Sequence, residues 1–351
     1  MNSRSIQGPA IFLAQFARDT APFDTLENIC RWAAALGYKG VQVPTWEGRL
    51  IDLGQAAASR SYCDDWRGRL AICGVQLTEL NAALAGQVLA VHPAYEAAFQ
   101  PFYPQGLDDG GRIAWATEKL QQAVRAAANL DTTSVPVVSG GFAWHLAYPW
   151  PQRPPGLIDE AFAELARRWR PILDLAGELG VSLGYELHPG SDLFDGHTFE
   201  RFLREVGDHP AACLNYDPSH FVLQHLDYAE FIRLYGARIK GFHVKDAELR
   251  PDGRGGVYGG YQPWAQRAGR FRSPGDGQVD FKRVFTLLTE AGYRGWAVME
   301  WECCVKSPDQ GAREGAPFIE RHLIEATALA FDDFAGAPAD TTLNRRLLGL
   351  S

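Results

Sequence analysis

Positive charge is scarce in this chain. Lys and Arg number 34 against 42 Asp and Glu, a net charge of −8 over 351 residues. Nowhere do basic residues reach the density of a nucleic-acid-binding face. No nucleic-acid partner is expected; a soluble protein handling a small molecule is. Cysteine is sparse as well. The six, Cys30, Cys63, Cys73, Cys213, Cys303 and Cys304, show neither CxxC spacing nor a small disulfide framework, so a cytoplasmic, reducing setting is expected. No apolar run approaches the length of a transmembrane helix, so no membrane partner is expected. The run "AIFLAQFA" lacks the charged flank and cleavage site of a signal peptide. Linkers and low-complexity tracts are missing too. The expectation is one domain, 1–351, with a core over about 10–333 and a tail over 334–351.

What is present is an alternation. Apolar, β-branched runs at 10–16, 40–46, 75–80, 134–138, 181–187, 212–217, 239–245 and 296–302 read as strands. Between them lie stretches such as "TLENICRWAAALG" and "FKRVFTLLTEAG", with apolar residues at helical spacing. Gly37, Gly180, Gly236 and Gly292 close several of these, as helix C-caps do. Strand–helix alternation of this kind predicts a parallel sheet, and eight units predict a single (β/α)₈ TIM barrel. The competitor, an open doubly wound sheet, more often carries a Gly-rich turn after its first strand. Here that turn is "ARDTAPF", without glycine. Three strand-to-helix connections, near 81–111, 139–158 and 247–280, are long and rich in Gly, Pro and aromatics. In a barrel they gather on the C-terminal face as functional loops.

Residues two apart on a strand face the same way. By that rule the last four strands each end in a polar pair: Glu186 with His188, Asn215 with Asp217, His243 with Lys245, and Glu300 with Glu302. Charge at buried strand ends is costly unless it is paired or bound to metal. Three carboxylates and an imidazole from neighbouring strands suit a hard divalent ion; buried ion pairs are the alternative. For Asp217, in "LNYDPSHF", a helix-capping role competes with a ligand role.

The motifs "YELHPG", "NYDPSHF", "FHVKDAE" and "VMEWE", in this order, resemble the xylose-isomerase-like barrel superfamily of sugar isomerases and epimerases. The resemblance is strongest from about Val181 to Ile324. It implies one divalent ion, Mn²⁺ before Mg²⁺, Co²⁺ or Zn²⁺, held by Glu186, Asp217, His243 and Glu300. It also implies an acid/base role for Glu186 and Glu300, and contact of His220 with substrate oxygens. The segment 256–281 resembles a branch labelled sugar phosphate isomerase/epimerase. Related barrels include catalytic subunits that cleave 3-oxo-glycosides, C-glycosides among them. The expected activity is thus isomerisation or epimerisation of a sugar or keto-sugar. It would proceed by proton abstraction beside a carbonyl, through an enediolate stabilised by the ion. A lyase or deglycosidase sharing that first step is the alternative. The expected partner is a small carbohydrate. A homo-oligomer is expected, or a hetero-oligomer with a small subunit for a deglycosidase.

Other residues carry paired readings. His188 is an outer partner orienting a metal ligand, or a substrate contact. Lys245 holds substrate or pairs with Glu302, and Asp246 stands beside it. His145, in "FAWHLAYPWPQRPPG", is a base beyond the metal or part of a pocket wall with Trp144. Arg272, with Arg270, binds an anionic group or tethers its loop to the acidic rim. Trp46, Trp264 and Tyr258 stack on a sugar face or simply pack.

Overall fold

The computed structural model describes residues 3–4, 6–326 and 340–350. Eight parallel strands run β1 (Gln7–Phe12), β2 (Gly40–Pro44), β3 (Gln76–Asn81), β4 (Ser134–Val137), β5 (Ser182–Glu186), β6 (Ala212–Tyr216), β7 (Ile239–Val244) and β8 (Trp296–Met299). They pair in the order β3-β2-β1-β8-β7-β6-β5-β4. At the seam the Ala82 amide donates to the Pro136 carbonyl at 2.9 Å. The result is a nearly closed (β/α)₈ TIM barrel. All eight expected strands are present; the first, read at 10–16, runs earlier, at Gln7–Phe12. The last is shorter than read, because the ladder stops at Met299 and leaves Glu300 and Glu302 just beyond it.

The principal helices are α1 (Leu26–Ala35), α2 (Arg60–Ile72), α3 (Asp109–Asn129), α4 (Leu157–Glu178), α5 (Gly196–Glu205), α6 (Tyr228–Tyr235), α7 (Phe281–Glu290) and α8 (Pro308–His322). Local chemistry sets their starts. Thr25 accepts the Asn28 amide ahead of α1, and Asp195 and Thr198 form a reciprocal capping box ahead of α5. In α1, Leu26, Ile29, Cys30 and Ala33 form the buried stripe that docks on the sheet. Gly37, Gly180 and Gly292 take left-handed φ values of 94°, 68° and 76°. Gly236 does not: it opens a 3₁₀ turn at φ −52°, where a Cβ would lie 2.9 Å from the Ala291 methyl.

The main apolar core lies between strands and helices. Inside the barrel the apolar content is a small cluster of Ala10, Phe12 and Val298. The buried polar residues Gln42, Glu79, Asn81, Asn215 and His243 come from the strands or their last residues. A barrel interior with that much polarity must hydrogen-bond to itself or to something bound.

All strand-to-helix connections leave from one face. The connection after β7 contains an antiparallel hairpin, Asp246–Leu249 with Gly269–Arg272. The expected core end at 333 and part of the expected tail fall on 327–339 and 351, outside the described residues; Thr341–Leu347 is helical. Among the described residues no helix is long and apolar enough to cross a membrane.

Candidate metal centre

Strand register brings the polar ends together. Glu186 lies level with Asn215, and Asn215 with Gly241. Glycine is required at 241, because a Cβ there would stand 2.3 Å from the Asn215 side-chain oxygen. Asn215 Nδ2 in turn donates to Glu186 Oε2 at 2.8 Å. At the C-terminal mouth, one ligand atom each from Glu186, Asp217, His243 and Glu300 lies within 4.8 Å of all the others, and all four residues are buried. His243 Nδ1 is 3.0 Å from Glu186 Oε2 and 2.9 Å from Glu300 Oε2.

Asp217 satisfies both of its readings. Its Oδ1 accepts the Ser219 amide at 2.8 Å and caps the short helix Pro218–Leu223. Its Oδ2 is buried without a hydrogen bond, although His220 Nε2 lies 3.3 Å away and Lys245 Nζ 3.7 Å. A buried carboxylate oxygen without a hydrogen bond, beside two more carboxylates and an imidazole, has the chemistry of a divalent-cation ligand. The residues present therefore fit a bound metal, and the donor set, three oxygens and one nitrogen, is that of a hard or borderline ion.

The electrostatics agree. Burial pushes the Asp217 carboxyl up to about 6. Burial also opposes charge on His243, but Glu300 and Glu186 outweigh it and hold the imidazole well above its ordinary value. Glu186, despite burial, is held well below the usual carboxylate range by His243 and His220. Lys245 stays charged against burial through Glu300, Glu302 and Asp217, at 3.3, 3.4 and 3.7 Å. His220 Nε2 lies 3.2 Å from Glu186 Oε1, and the His188 ring packs 5.0 Å from that of His220. Burial first, then His220, lowers His188 to about 4, so it is neutral at physiological pH.

Residues not singled out in the sequence complete the centre. Gln15 donates to Glu300 Oε1 at 3.2 Å. Gln42 Nε2 donates to Glu79 Oε2 at 3.2 Å, and its oxygen takes Asn81 Nδ2 at 2.9 Å and lies 3.1 Å from His243 Nε2. An acceptor oxygen there makes His243 Nε2 the donor and leaves Nδ1 as the atom facing the carboxylates. The signal was a lone glutamine in the apolar run "GVQVP".

The remaining candidates stand further out. Asp246 is fully buried and its carboxylate accepts backbone amides of its own loop. Arg272 lies 2.8 Å from Glu248, which Arg270 also meets at 2.6 Å. Glu302 pairs with Lys245. His145, in the 3₁₀ turn Trp144–Leu146, packs on His92 with ring centroids 4.0 Å apart, and burial followed by His92 lowers its pKa. Trp144 meets Phe194 edge to face at 5.3 Å.

The xylose isomerase-like TIM barrel family pattern matches residues 30–322 of this chain. The chain is 30% identical over 177 residues to an inosose dehydratase of Bacillus licheniformis, covering 50% of this chain and 58% of that protein. It is 34% identical over 129 residues to an inosose dehydratase of Geobacillus thermodenitrificans, covering 37% and 43%. The matches thus span about half the length of these curated relatives. Among solved structures it resembles 3-keto-D-glucoside 4-epimerase from E. coli, with TM-score 0.60, 14% identity and coverage of 91% of this chain and 100% of that one. It resembles equally a xylose isomerase-like barrel of Mycobacterium smegmatis in complex with magnesium, with TM-score 0.60, 17% identity and coverage of 92% and 98%.

Proposed function

This chain belongs to the xylose isomerase-like TIM barrel family, and on that premise we propose that it is a divalent-metal enzyme that removes a proton beside the carbonyl of a polyhydroxylated ketone, a keto-sugar or inosose, and returns it as an isomerase or epimerase. The observation that carries this reading is the convergence of Glu186, Asp217, His243 and Glu300, with Asp217 Oδ2 left unbonded. Bound among them, the ion, for which we favour Mn²⁺, supplies Lewis-acid stabilisation of the negative charge that develops as the proton leaves. Glu186 and Glu300 are both low-pKa carboxylates at the mouth and serve as the acid/base pair. Lys245, charged and buried, and His220 hold the substrate oxygens. Asn215 and Gln15 fix the two glutamates.

A second reading, loss of water after the same proton abstraction, is favoured by the sequence matches to inosose dehydratases. In that case Lys245 is the group placed to protonate a leaving hydroxyl.

The test is incubation of the metal-supplemented protein with keto-sugars and inososes in deuterated water. Solvent deuterium at the carbon next to the carbonyl is expected. A product of unchanged formula favours the first reading, and loss of water the second. Glu186→Gln and Glu300→Gln should each stay folded and lose roughly 10²–10⁴ in turnover. Turnover near wild type in either variant removes that residue from the acid/base pair. No deuterium uptake from any of these ketones overturns the proposal.

A further inference from the structure

Beside the carboxylate cluster lies a cavity of about 480 Å³ that the metal chemistry does not use. It shares Gln15 and Glu302 with the centre. Gln15 donates to Glu300 at 3.2 Å and keeps one unpartnered acceptor, its amide oxygen, while Glu302 meets Lys245 at 3.4 Å. The rest of the lining is Trp264, Phe271, Trp301, Cys303 and Cys304. The Trp301 indole N–H is spent on Ser273 Oγ at 3.3 Å, and Cys303 Sγ accepts the amides of Val305 and Lys306 at 3.4 and 3.2 Å. A ring bearing a hydroxyl on nearly every carbon would find few partners here, and each hydroxyl desolvated without one costs affinity.

The aromatic side chains form a continuous wall leading away from the centre. Phe271 meets the His220 ring edge to face at 5.3 Å, lies 4.5 Å from the Lys245 ammonium, and packs on Trp264 at 4.9 Å. Trp264 is 45% exposed, with the Arg267 guanidinium 4.5 Å from its ring. The wall is built in advance of any ligand. Asp246 holds the segment that follows the hairpin through the amides of Gly275, Gly277 and Val279, and within the hairpin Arg270 and Arg272 converge on Glu248. A preformed cavity lined mainly by aromatic side chains, with its polar groups those it shares with the centre, binds a molecule of the same polarity pattern.

We infer that this cavity is a subsite for a flat, apolar substituent, an aromatic ring, carried by a polyhydroxylated ketone whose carbonyl end meets the carboxylate cluster. The inference rests on the function proposed above and narrows its substrate class to ketones with an aromatic group attached.

The test uses two probes that differ only in the substituent, methyl and phenyl 3-oxo-β-D-glucoside, with the full-length, metal-supplemented protein. Binding is followed by calorimetry, and deuterium uptake from solvent by NMR on the same samples. The phenyl compound is expected to bind roughly tenfold or more tightly than the methyl compound, from burial and ring packing. Trp264→Ala, a change at a half-exposed loop position, should bring that ratio below about threefold. Equal binding of the two probes by wild type overturns the subsite, even where both take up deuterium. A preference that survives in Trp264→Ala overturns it as well. A phenyl preference lost in Trp264→Ala, without deuterium uptake from either probe, supports the subsite and counts against the proton-abstraction reading.

Discussion

Replacing Asp246 by Asn should release the loop after β7 without unfolding the barrel. The Asp246 carboxylate takes four backbone amides: Oδ1 accepts Ala247 at 2.9 Å and Val279 at 3.1 Å, and Oδ2 accepts Gly275 and Gly277, each at 2.9 Å. Burial raises its pKa to about 6 against the pull of those amides, so it is ionised at neutral pH. The asparagine amide keeps one acceptor oxygen and turns an NH₂ toward the other two donors. Two of four charge-assisted bonds are lost, at about 1.5–3 kcal/mol each, or about 3–6 kcal/mol of anchorage. Because hydrogen exchange here reads local opening, protection of the amides at 275 and 277 should fall by roughly 10²–10⁴. Trypsin should also cut faster after Arg254 and Arg267. The assay is hydrogen–deuterium exchange of a peptide covering 273–281, with melting of the whole domain as control. Gly277→Ala should act alike, since a Cβ there would fall 2.2 Å from Asp246 Oδ1. Exchange in the 273–281 peptide within about threefold of wild type in Asp246→Asn would refute the clamp.

Divalent ion at about a hundred times its Kd should add ~2.7 kcal/mol to stability. With an unfolding entropy of about 0.7 kcal/mol/K for a chain of 351 residues, that is a rise in Tm of about 4 °C by calorimetry. Asp217→Ser keeps a helix cap and loses the ligand oxygen, so it should stay folded and lose the rise; a rise equal to wild type would sink the ligand role. His145→Ala should alter KM while turnover falls less than about tenfold, because His145 packs on His92 outside the four-residue cluster; a loss of about 10² in turnover would make it a general base. Arg167, and then Arg168, hold Glu164 at about 2 against a modest burial effect, below the ordinary 4.5. A lowered carboxyl stabilises the fold above pH 4.5 and loses that contribution as pH falls through about 2. Glu164→Gln should therefore cost only about 0.5–1 kcal/mol at pH 7, given its partial exposure, and the difference from wild type in denaturant midpoint should shrink toward pH 2.

The barrel was legible because its strands are buried on both faces and read as apolar runs, with helices of clear period between them. The cluster was legible for a related reason. Alternation along a strand is strict, so His243 with Lys245 and Asn215 with Asp217 had to share a face. Glu300 fell at the right place although its strand ended one residue earlier, because the chain leaves the ladder near the same point on the mouth. What the sequence hid was partnership across the barrel. Gln42 meets His243 over a separation of 201 positions, and Gln15 meets Glu300 over 285. Pairing over such separations is decided by strand order and register, which no local pattern carries. Arg272 and Lys245 had two readings each for the same reason. The structure supplies Glu248 as partner to one and Glu302, with Glu300, to the other.

Buried carboxylates around the C-terminal mouth divide by what they accept. Asp192 takes the amides of Phe142 and Ala143 at 2.7 and 2.9 Å and fixes the loop after β4. Asp246 takes four amides and fixes the loop after β7. In both, the oxygens are coordinated by fixed backbone dipoles, which stabilise charge without being able to leave. Glu186 and Glu300 accept instead from side chains, Asn215 and His220 for the first, Gln15 and Lys245 for the second. Such partners rotate, so these carboxylates can exchange one donor for another as an ion or a substrate arrives. Asp217 has one oxygen held by a backbone amide and one without a hydrogen bond. Backbone-held carboxylates thus surround the mouth as scaffold, and side-chain-held ones line it as chemistry. That division accounts for why Asp246, one residue from Lys245 and equally buried, sits outside the centre.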